Sequence, residues 1–344
     1  MNEIEILKKA LEIYSPTGRE KKIAEFLLEL SEGKGRIDEA GNFIIEKGNG
    51  DQVLLFCSHM DTVSGEIPVR IDGNKLYGRG AVDAKGPLIG MFLAFLRTEV
   101  RNIRLIFAGV TEEEGSSKGI KFLMKNIKPT WSIIGEPSGL NKITIGYKGR
   151  IKVELTFEGD GHIANPTSAN AIETGMRFIS KIRKKYGRND YNYIVIRPDS
   201  IKGSAKSCEI RLDVRIPHGT NEKDVVKIFQ DHNCEVLDFE SPFEIVKSNP
   251  LVIALKKSIK KVTGNRANLT RKTGTCDVNI LSKICDNCVV YGPGDSRLDH
   301  TNNEHIDVDE FLTSIEVYQN VIQILDGKSS NKNLGEKIES NERR

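Results

Sequence analysis

The feature that most constrains the fold is a regular alternation of strand-like apolar runs with helical stretches. Val53–Cys57 is a continuous apolar run, typical of a strand buried on both faces, and similar runs occur at Ile103–Val110 and Trp131–Ile134. Helical stretches around Leu88–Leu96 and Ile120–Ile127 alternate with these runs. Because strands that alternate with helices build a sheet covered on both sides, the chain is predicted to be an α/β protein.

A different order of elements follows in the middle of the chain. The pattern predicts strand, helix, strand, strand, helix and strand at Ile151–Phe157, Ala169–Tyr186, Tyr193–Arg197, Cys208–Arg215, Glu222–Asp231 and Cys234–Phe239. This β-α-β-β-α-β order is the ferredoxin-like arrangement. We therefore expect an inserted domain at 150–248, within a discontinuous catalytic domain formed by 1–149 and 249–326.

Two further local patterns mark the ends of the chain. Thr17 and Glu20 have the spacing of a capping box in front of a helix. A final helix is predicted at Val308–Leu325, and the polar segment 327–344 is predicted to be a disordered tail.

Composition excludes several classes of function. The chain has 344 residues, 29% of them charged and 38% apolar, which suits a soluble globular enzyme. The formal net charge of +3 is too small to indicate nucleic-acid binding. Because the sequence contains neither a signal-peptide pattern nor an apolar run long enough to cross a bilayer, we expect no membrane association and a cytoplasmic protein.

Acidic and imidazole side chains stand where apolar runs give way to glycine-rich loops. In open α/β sheets, ligands collect at these carboxyl ends of strands. Five such residues make a balanced two-metal inventory, with one His and one carboxylate per ion and a shared carboxylate, which leaves one glutamate to act as a base. The six candidates are His59, Asp83, Glu113, Glu114, Glu136 and His300.

Each of these signals is weak when taken alone. Asp61 can lie behind the imidazole of His59, since residues two apart in an extended segment face the same way, but an H-x-D pair is also typical of an ordinary satisfied histidine. The run Glu112–Glu114 could be a solvated acidic turn. The glycine-rich segment Tyr77–Gly86 lacks the spacing of a phosphate-binding loop.

Taken together, the motifs resemble a known family. H-x-D at His59, G-R-G-x-x-D-x-K-G from Gly78, E-E-E-G from Glu112, G-E-P-S from Gly135 and a late His300 after a G-P-G loop are similar to the dinuclear zinc aminoacylase and carboxypeptidase family. That family includes acetylornithine deacetylase and succinyl-diaminopimelate desuccinylase. The resemblance covers about residues 1–326, and one departure is Glu112, where many relatives have Asp.

The resemblance implies a fold and a set of roles. The fold would be a zinc-peptidase-like catalytic domain, a mixed sheet flanked by helices, with an inserted ferredoxin-like dimerisation or lid domain. Two Zn²⁺ per subunit, with Co²⁺ able to substitute, are implied, and Asp83 would bridge them. His59 and Glu136 would hold the first ion, and Glu114 and His300 the second.

Three further roles come from the same resemblance. Glu113 falls on the catalytic base, and Asp61 falls on the residue that supports His59. His162, in the inserted domain, would donate to the tetrahedral oxyanion and, in a homodimer, would reach the active site of the partner subunit.

The substrate is suggested by three longer stretches. Gly146–Arg150, Arg271–Asp277 and Gly292–His300 most resemble the amino-group carrier branch, whose enzymes release lysine or ornithine from the C-terminal glutamate of the small acidic protein LysW. This implies a role in lysine and arginine biosynthesis. Candidate substrate-binding residues are Arg271, Lys272 and Thr275, and the basic residues Lys148, Arg150, Arg271 and Lys272 are expected to favour an acidic partner.

Other functions remain open from the sequence. One is the deacylation of small N-acyl amino acids such as acetylornithine, and another is a broad dipeptidase activity. A non-catalytic binding module is a further alternative, but the complete ligand set and Glu113 argue against it.

Overall fold

The computed structural model describes residues 1–161, 168–188 and 190–341, with side chains up to residue 327. The chain divides into two compact units. The first comprises Met1–Ile145, Ile245–Thr270 and Leu281–Arg344, and the second comprises Gly146–Glu244 and Arg271–Ile280.

Nine helices lie within the described residues. They are α1 (Glu3–Glu12), α2 (Lys21–Leu30), α3 (Lys85–Arg97), α4 (Lys118–Asn126), α5 (Ala171–Tyr186), α6 (Glu222–Val226), α7 (Pro250–Thr263), α8 (Asp277–Leu281) and α9 (Val308–Asn341), and a 3₁₀ turn follows α6 at Lys227–Phe229.

The described part of the chain also forms short and long strands. They are β1 (Arg36–Ile37), β2 (Phe43–Lys47), β3 (Gln52–His59), β4 (Arg70–Asp72), β5 (Lys75–Tyr77), β6 (Ile103–Val110), β7 (Trp131–Ile134), β8 (Lys142–Tyr147), β9 (Gly149–Glu158), β10 (Val195–Gly203), β11 (Ser207–Ile216), β12 (Asn233–Glu240), β13 (Phe243–Glu244), β14 (Asn268–Lys272), β15 (Cys288–Val290) and β16 (His305–Asp307).

A mixed sheet forms the centre of the first unit. Its order is β1-β2-β6-β3-β7-β15-β8, and β14 also pairs with β8. Strands β6, β3, β7 and β15 are parallel, so their carboxyl ends meet at one edge of the sheet. Helix α3, buried along most of its length, packs on β3 and against α9. The predicted α/β class with a mixed sheet flanked by helices is therefore confirmed.

A small antiparallel sheet in the same unit has the order β16-β5-β4. Its register places Tyr77 opposite His305. The glycine-rich loop that begins after β5 and the loop that ends at β16 are therefore attached to neighbouring strands.

The second unit has the β-α-β-β-α-β order predicted for the insert, formed by β9, α5, β10, β11, α6 and β12. The antiparallel sheet has the order β10-β11-β9-β12. Alternate residues of β9, such as Val153 and Leu155, are buried with Ile179 and Ile182 of α5. This is the packing expected of a sheet that is covered on one face.

The structure differs from the sequence prediction at two boundaries. The second unit also takes in Arg271–Ile280, because Asn279 donates to the carbonyls of Lys148 and Ser241, at 2.9 and 2.8 Å. The final helix does not end at Leu325: α9 runs to Asn341, so its backbone is helical over most of the segment predicted to be disordered.

Candidate metal centre

Strand ends bring the candidate ligands to one edge of the central sheet. His59 is the last residue of β3, Glu113 and Glu114 follow β6, and Glu136 follows β7. Asp83 lies in the loop between β5 and α3, and His300 lies in the loop before β16. The parallel register of β3, β6 and β7 is what places their carboxyl-terminal loops side by side.

The first cluster consists of His59, Asp83 and Glu136. The Nε2 atom of His59 lies 3.2 Å from Oδ1 of Asp83 and 3.7 Å from Oε1 of Glu136. All three residues are buried. A buried imidazole between two carboxylates is an arrangement suited to holding a cation.

The second cluster consists of Asp83, Glu114 and His300. The Nε2 atom of His300 lies 2.9 Å from Oδ2 of Asp83 and 2.7 Å from Oε1 of Glu114. Because the two oxygens of Asp83 face different imidazoles, this carboxylate belongs to both clusters. The structure therefore brings together all five residues that were predicted as ligands, with Asp83 in the shared position.

The chemistry and spacing of these donors fit metal ions. Ligand atoms at about 2.1 Å from a tetrahedral ion lie about 3.4 Å from one another. Within each cluster, one ligand atom from each residue lies within 4.8 Å of the others. The distances from the His59 and His300 Nε2 atoms to the carboxylate oxygens run from 2.7 to 3.7 Å and bracket this value. A His with two carboxylates is a donor set typical of Zn²⁺ and related divalent metals.

The electrostatics of the clusters favour positive charge. Hydrogen bonds to Asp83 and Glu114 raise the pKa of His300 to about 10. Burial lowers the pKa of His59, but hydrogen bonds to Asp61 and Asp83 outweigh it and hold that pKa well above its usual value. Burial alone would raise the pKa of Asp83, yet hydrogen bonds to His300 and His59 keep it below its usual range. A bound cation would supply the charge that these carboxylates stabilise.

Asp61 does more than support His59. The Nδ1 atom of His59 lies 2.9 Å from the backbone oxygen of Asp61 and 3.4 Å from its carboxylate, which leaves Nε2 for the cluster. The same carboxylate accepts hydrogen bonds from the backbone N–H groups of Glu113, at 3.0 Å, and Glu114, at 3.1 Å. Asp61 thus connects the loop after β3 to the loop after β6.

Thr17 and Glu20 do not form the predicted capping box. The hydroxyl of Thr17 donates to Oδ2 of Asp61, at 2.9 Å. Glu20 itself occupies the N-cap of α2, and its carboxylate accepts from the backbone N–H groups of Gly18, at 2.8 Å, and Glu112, at 3.2 Å. Sequence spacing alone does not distinguish this role from a capping box, so both residues were missed as supports of the candidate site.

Glu113 lies beside the clusters and outside both of them. It is half-buried, and its charge contributes to raising the pKa of His59, which places it near that imidazole. Of the described residues, the two groups that could hold a metal ion both leave out Glu113, and the second includes Glu114. This arrangement is compatible with the prediction that Glu114 is a metal ligand and Glu113 a base.

Left-handed backbone occurs at three non-glycine residues around these loops. Their φ angles are +58° at Glu112, +52° at Ser117 and +61° at His300. Such residues persist where surrounding contacts hold them, and they gather at functional sites.

The candidate substrate-binding residues belong to the second unit. The guanidinium of Arg271 forms an ion pair with Glu244. The hydroxyl of Thr275 accepts from Nη1 of Arg215, at 3.2 Å, and the ammonium of Lys272 lies 6.0 Å from the ring centre of Tyr147. Another candidate, His162, lies outside the described residues.

Two of the four basic residues expected to favour an acidic partner are engaged within the second unit. Lys148 is fully buried, and its ammonium donates to the carbonyls of Asp190, at 2.7 Å, and Tyr193, at 2.6 Å. Arg150 pairs with Asp238 and Glu240, at 3.0 and 2.8 Å. Because Lys148 is buried, it cannot present its charge to a partner. Attraction of an acidic partner by the other basic residues stays a prediction.

Comparison with known proteins identifies the family. The model of peptidase family M20/M25/M40 matches residues 55–324, well over half of the chain. The chain belongs to peptidase family M20/M25/M40. Membership of the M20 family confirms the predicted metal-dependent amide hydrolase and supports a metal cofactor.

Relatives with similar sequences match this chain over most of its length. A Pyrococcus furiosus protein is 40% identical to this M20 family member, over 93% of this chain and 96% of its own. A protein of Sulfurisphaera tokodaii, named LysW-lysine/LysW-ornithine hydrolase, is 32% identical over 93% of this chain and 95% of its own. A Saccharolobus solfataricus protein of the same name is also 32% identical, with the same coverage.

Solved structures of other proteins confirm the fold. A tripeptidase from Staphylococcus aureus matches with a TM-score of 0.81 at 21% identity, over 95% of this chain and 99% of its own. The aminopeptidase PepT from Bacillus cereus matches with a TM-score of 0.78 at 20% identity, over 94% and 99%. In the part of the chain that the structure describes, none of the helices is long and apolar enough to cross a membrane.

Proposed function

We propose that this chain hydrolyses the amide bond that links lysine or ornithine to the carrier protein LysW, within lysine and arginine biosynthesis. The observation that carries the proposal is the match to the Sulfurisphaera tokodaii LysW-lysine/LysW-ornithine hydrolase over 93% of this chain and 95% of its own, combined with two ligand clusters that share Asp83. The cytoplasmic location expected from the sequence stays a prediction.

The proposed site uses two Zn²⁺ ions per subunit, with Co²⁺ able to substitute. His59, Asp83 and Glu136 would hold one ion, and Asp83, Glu114 and His300 would hold the other. When bound, such ions polarise the scissile carbonyl and make hydroxide available near neutral pH.

The residues of the chain would perform the proton transfers and position the substrate. Glu113 would accept a proton from the attacking water and return it to the leaving amine. Its position is supported by the hydrogen bond from its backbone N–H to Asp61, at 3.0 Å. His162 stays our candidate for the donor to the oxyanion, and Arg271, Lys272 and Thr275 stay candidates for contact with the substrate.

We also propose that the second unit forms a homodimer. Strand β10 lies at one end of the order of its sheet, so its outer edge is available for pairing within the described structure. A groove of about 840 Å³ lies beside it, lined by residues of α5 and β10 that include the exposed Met176 and Ile201. An unpaired strand edge next to exposed apolar side chains suits the same surface of a second copy.

The proposal is tested by comparing two substrates on the metal-loaded enzyme. Lysine release from aminoacylated LysW and ornithine release from acetylornithine are measured side by side. We expect kcat/KM to be higher for the carrier substrate. Equal or higher efficiency with acetylornithine would instead identify the chain as a deacylase of small N-acyl amino acids.

A further inference from the structure

Two charged side chains outside the ligand clusters form a buried ion pair in the first unit. Nη1 of Arg79 lies 2.9 Å from Oε2 of Glu304, and the side chains are only 6% and 1% exposed. Burying two charges costs solvation free energy, so such a pair is weak evidence for stability by itself. Its position beside the ligand loops points to another role.

Glu304 holds the backbone of the loop that carries Asp83. Its Oε1 atom accepts hydrogen bonds from the backbone N–H groups of Val82 and Asp83, both at 3.1 Å. Its own backbone carbonyl accepts from the N–H of Gly78, at 3.4 Å, at the start of the same loop. Glu304 therefore holds the peptide from which the carboxylate of Asp83 extends. That carboxylate is the one shared by both clusters.

Arg79 holds the loop that carries His300. Its Nη1 atom donates to the backbone oxygen of Thr301, at 3.0 Å, as well as to Glu304. Thr301 directly follows His300, whose φ of +61° is unfavourable for a residue other than glycine. The guanidinium therefore fixes the peptide next to a ligand with a strained backbone.

Strand pairing does not extend to the ligands. The pairing of β5 with β16 aligns the two chain segments at Tyr77 and His305. Asp83 and His300 lie in the loops beyond this pair, where their relative position depends on loop contacts. Arg79 lies in the loop after β5 and contacts Thr301 in the loop before β16. Glu304 lies in the loop before β16 and contacts Val82 and Asp83 in the loop after β5.

We propose that Arg79 and Glu304 act as positioning residues that align Asp83 with His300 and thereby set the affinity of the ion held by Asp83, Glu114 and His300. This inference rests on the proposed two-metal function. Neither residue belongs to either ligand cluster. They act through the backbone of the ion's ligands, in the way that contacts around metal ligands commonly tune affinity.

The test uses Glu304→Gln and Arg79→Lys, which preserve size or charge at each position. The metal-loaded full-length proteins are dialysed against graded chelator, and the Zn²⁺ retained per subunit is measured. We expect the variants to lose one of two ions at a chelator strength at which the unmodified chain keeps both, corresponding to roughly 10–100-fold weaker binding. Added Zn²⁺ should restore most of the lost kcat.

A matched control is available in the same unit. The Oδ1 atom of Asp326 accepts from the backbone N–H groups of Arg101, Asn102 and Ile103, at 3.1, 2.7 and 3.1 Å, away from the ligand loops. Asp326→Asn thus disturbs a comparable carboxylate–backbone contact. It should change thermal unfolding of the metal-free protein but leave retention of both ions unchanged.

The results separate this inference from the proposed function. If the unmodified chain retains fewer than two ions under mild dialysis, the two-metal proposal itself fails. If it retains two and both variants match it across the chelator series, the positioning role is wrong. The role is also wrong if both variants are unfolded without metal, since the pair would then be a determinant of the fold.

Discussion

At the scale of single residues, the candidate metal centre has ligands that could hold an ion and neighbours, such as Thr17 and Glu20, that hold the ligand loops in place. The ligand types and their places after apolar runs can be read from the sequence, because metal sites use few side-chain types and open sheets collect them at strand ends. The supporting contacts of Thr17 and Glu20 could not be read in this way. Their partners, Asp61 and Glu112, are distant in sequence, and the local pattern has the same spacing as a helix cap.

The hydroxyl of Thr17 gives the first prediction. Thr17→Val removes the hydrogen bond to Asp61 with little change in shape, so the carboxylate that holds the backbone of Glu113 and Glu114 loses a partner. We expect kcat to fall by about 10-fold with KM little changed, and the free energy of unfolding to fall by about 1 kcal/mol. Steady-state kinetics and denaturant unfolding measure both.

The control is Thr17→Ser, which retains the hydroxyl and should keep most of the activity. A loss of activity in the Ser variant with full activity in the Val variant would show that the methyl group, rather than the hydrogen bond, matters at this position.

At the scale of elements, long periodic segments were predicted and short ones were missed. Strands β3, β6 and β7 are continuous apolar runs, so their sequence carries the signal. The strands β4, β5 and β16 have three residues each. β4 and β5 form a local hairpin, whereas β5 pairs with β16 across a large sequence separation. No local pattern indicates the pairing of β5 with β16, although it brings the loops of Asp83 and His300 together.

Lys148, between β8 and β9, gives a prediction of pH dependence. Burial lowers the pKa of its ammonium to about 8 in the folded chain, against about 10.4 when unfolded. Between these values the unfolded chain binds more protons, so the free energy of unfolding should rise as the pH increases from about 8 to about 10. Lys148→Met has no titrating group at this position, so its free energy of unfolding should lack this rise with pH.

Urea unfolding of both proteins at several pH values across this window provides the measurement. The difference in unfolding free energy between the unmodified chain and the variant should grow with pH. A constant difference would mean that Lys148 titrates normally in the folded chain.

At the scale of the whole molecule, the order of elements in the second unit could be predicted from the sequence, whereas the membership of one segment could not. The β-α-β-β-α-β order marks the insert because each of its elements has a clear period. Arg271–Ile280 joins the second unit through contacts with Glu244, Lys148 and Ser241, which the chain order conceals. The basic residues also illustrate a limit: a sequence shows which side chains are charged, but not which of them are buried or paired with an acidic neighbour.

The proposed dimer gives a prediction at this scale. Ile201 is 49% exposed on the edge strand β10, and Leu237 is 41% exposed on β12 at the other edge of the same sheet. Ile201→Glu places a charge in the proposed interface and should convert the dimer to a monomer in analytical ultracentrifugation. Leu237→Glu should leave the dimer intact, and equal behaviour of the two variants would argue against an interface at β10.

The central claim is that five residues hold two metal ions while Glu113 is reserved for proton transfer. Glu113→Gln tests it most directly, because the variant keeps the size of the side chain but cannot accept the proton. Metal content and lysine release from aminoacylated LysW are measured on the same preparation. We predict two ions per subunit and a turnover reduced by roughly 10²–10⁴-fold or more. Loss of an ion from this variant, or turnover close to that of the unmodified enzyme, would contradict the account.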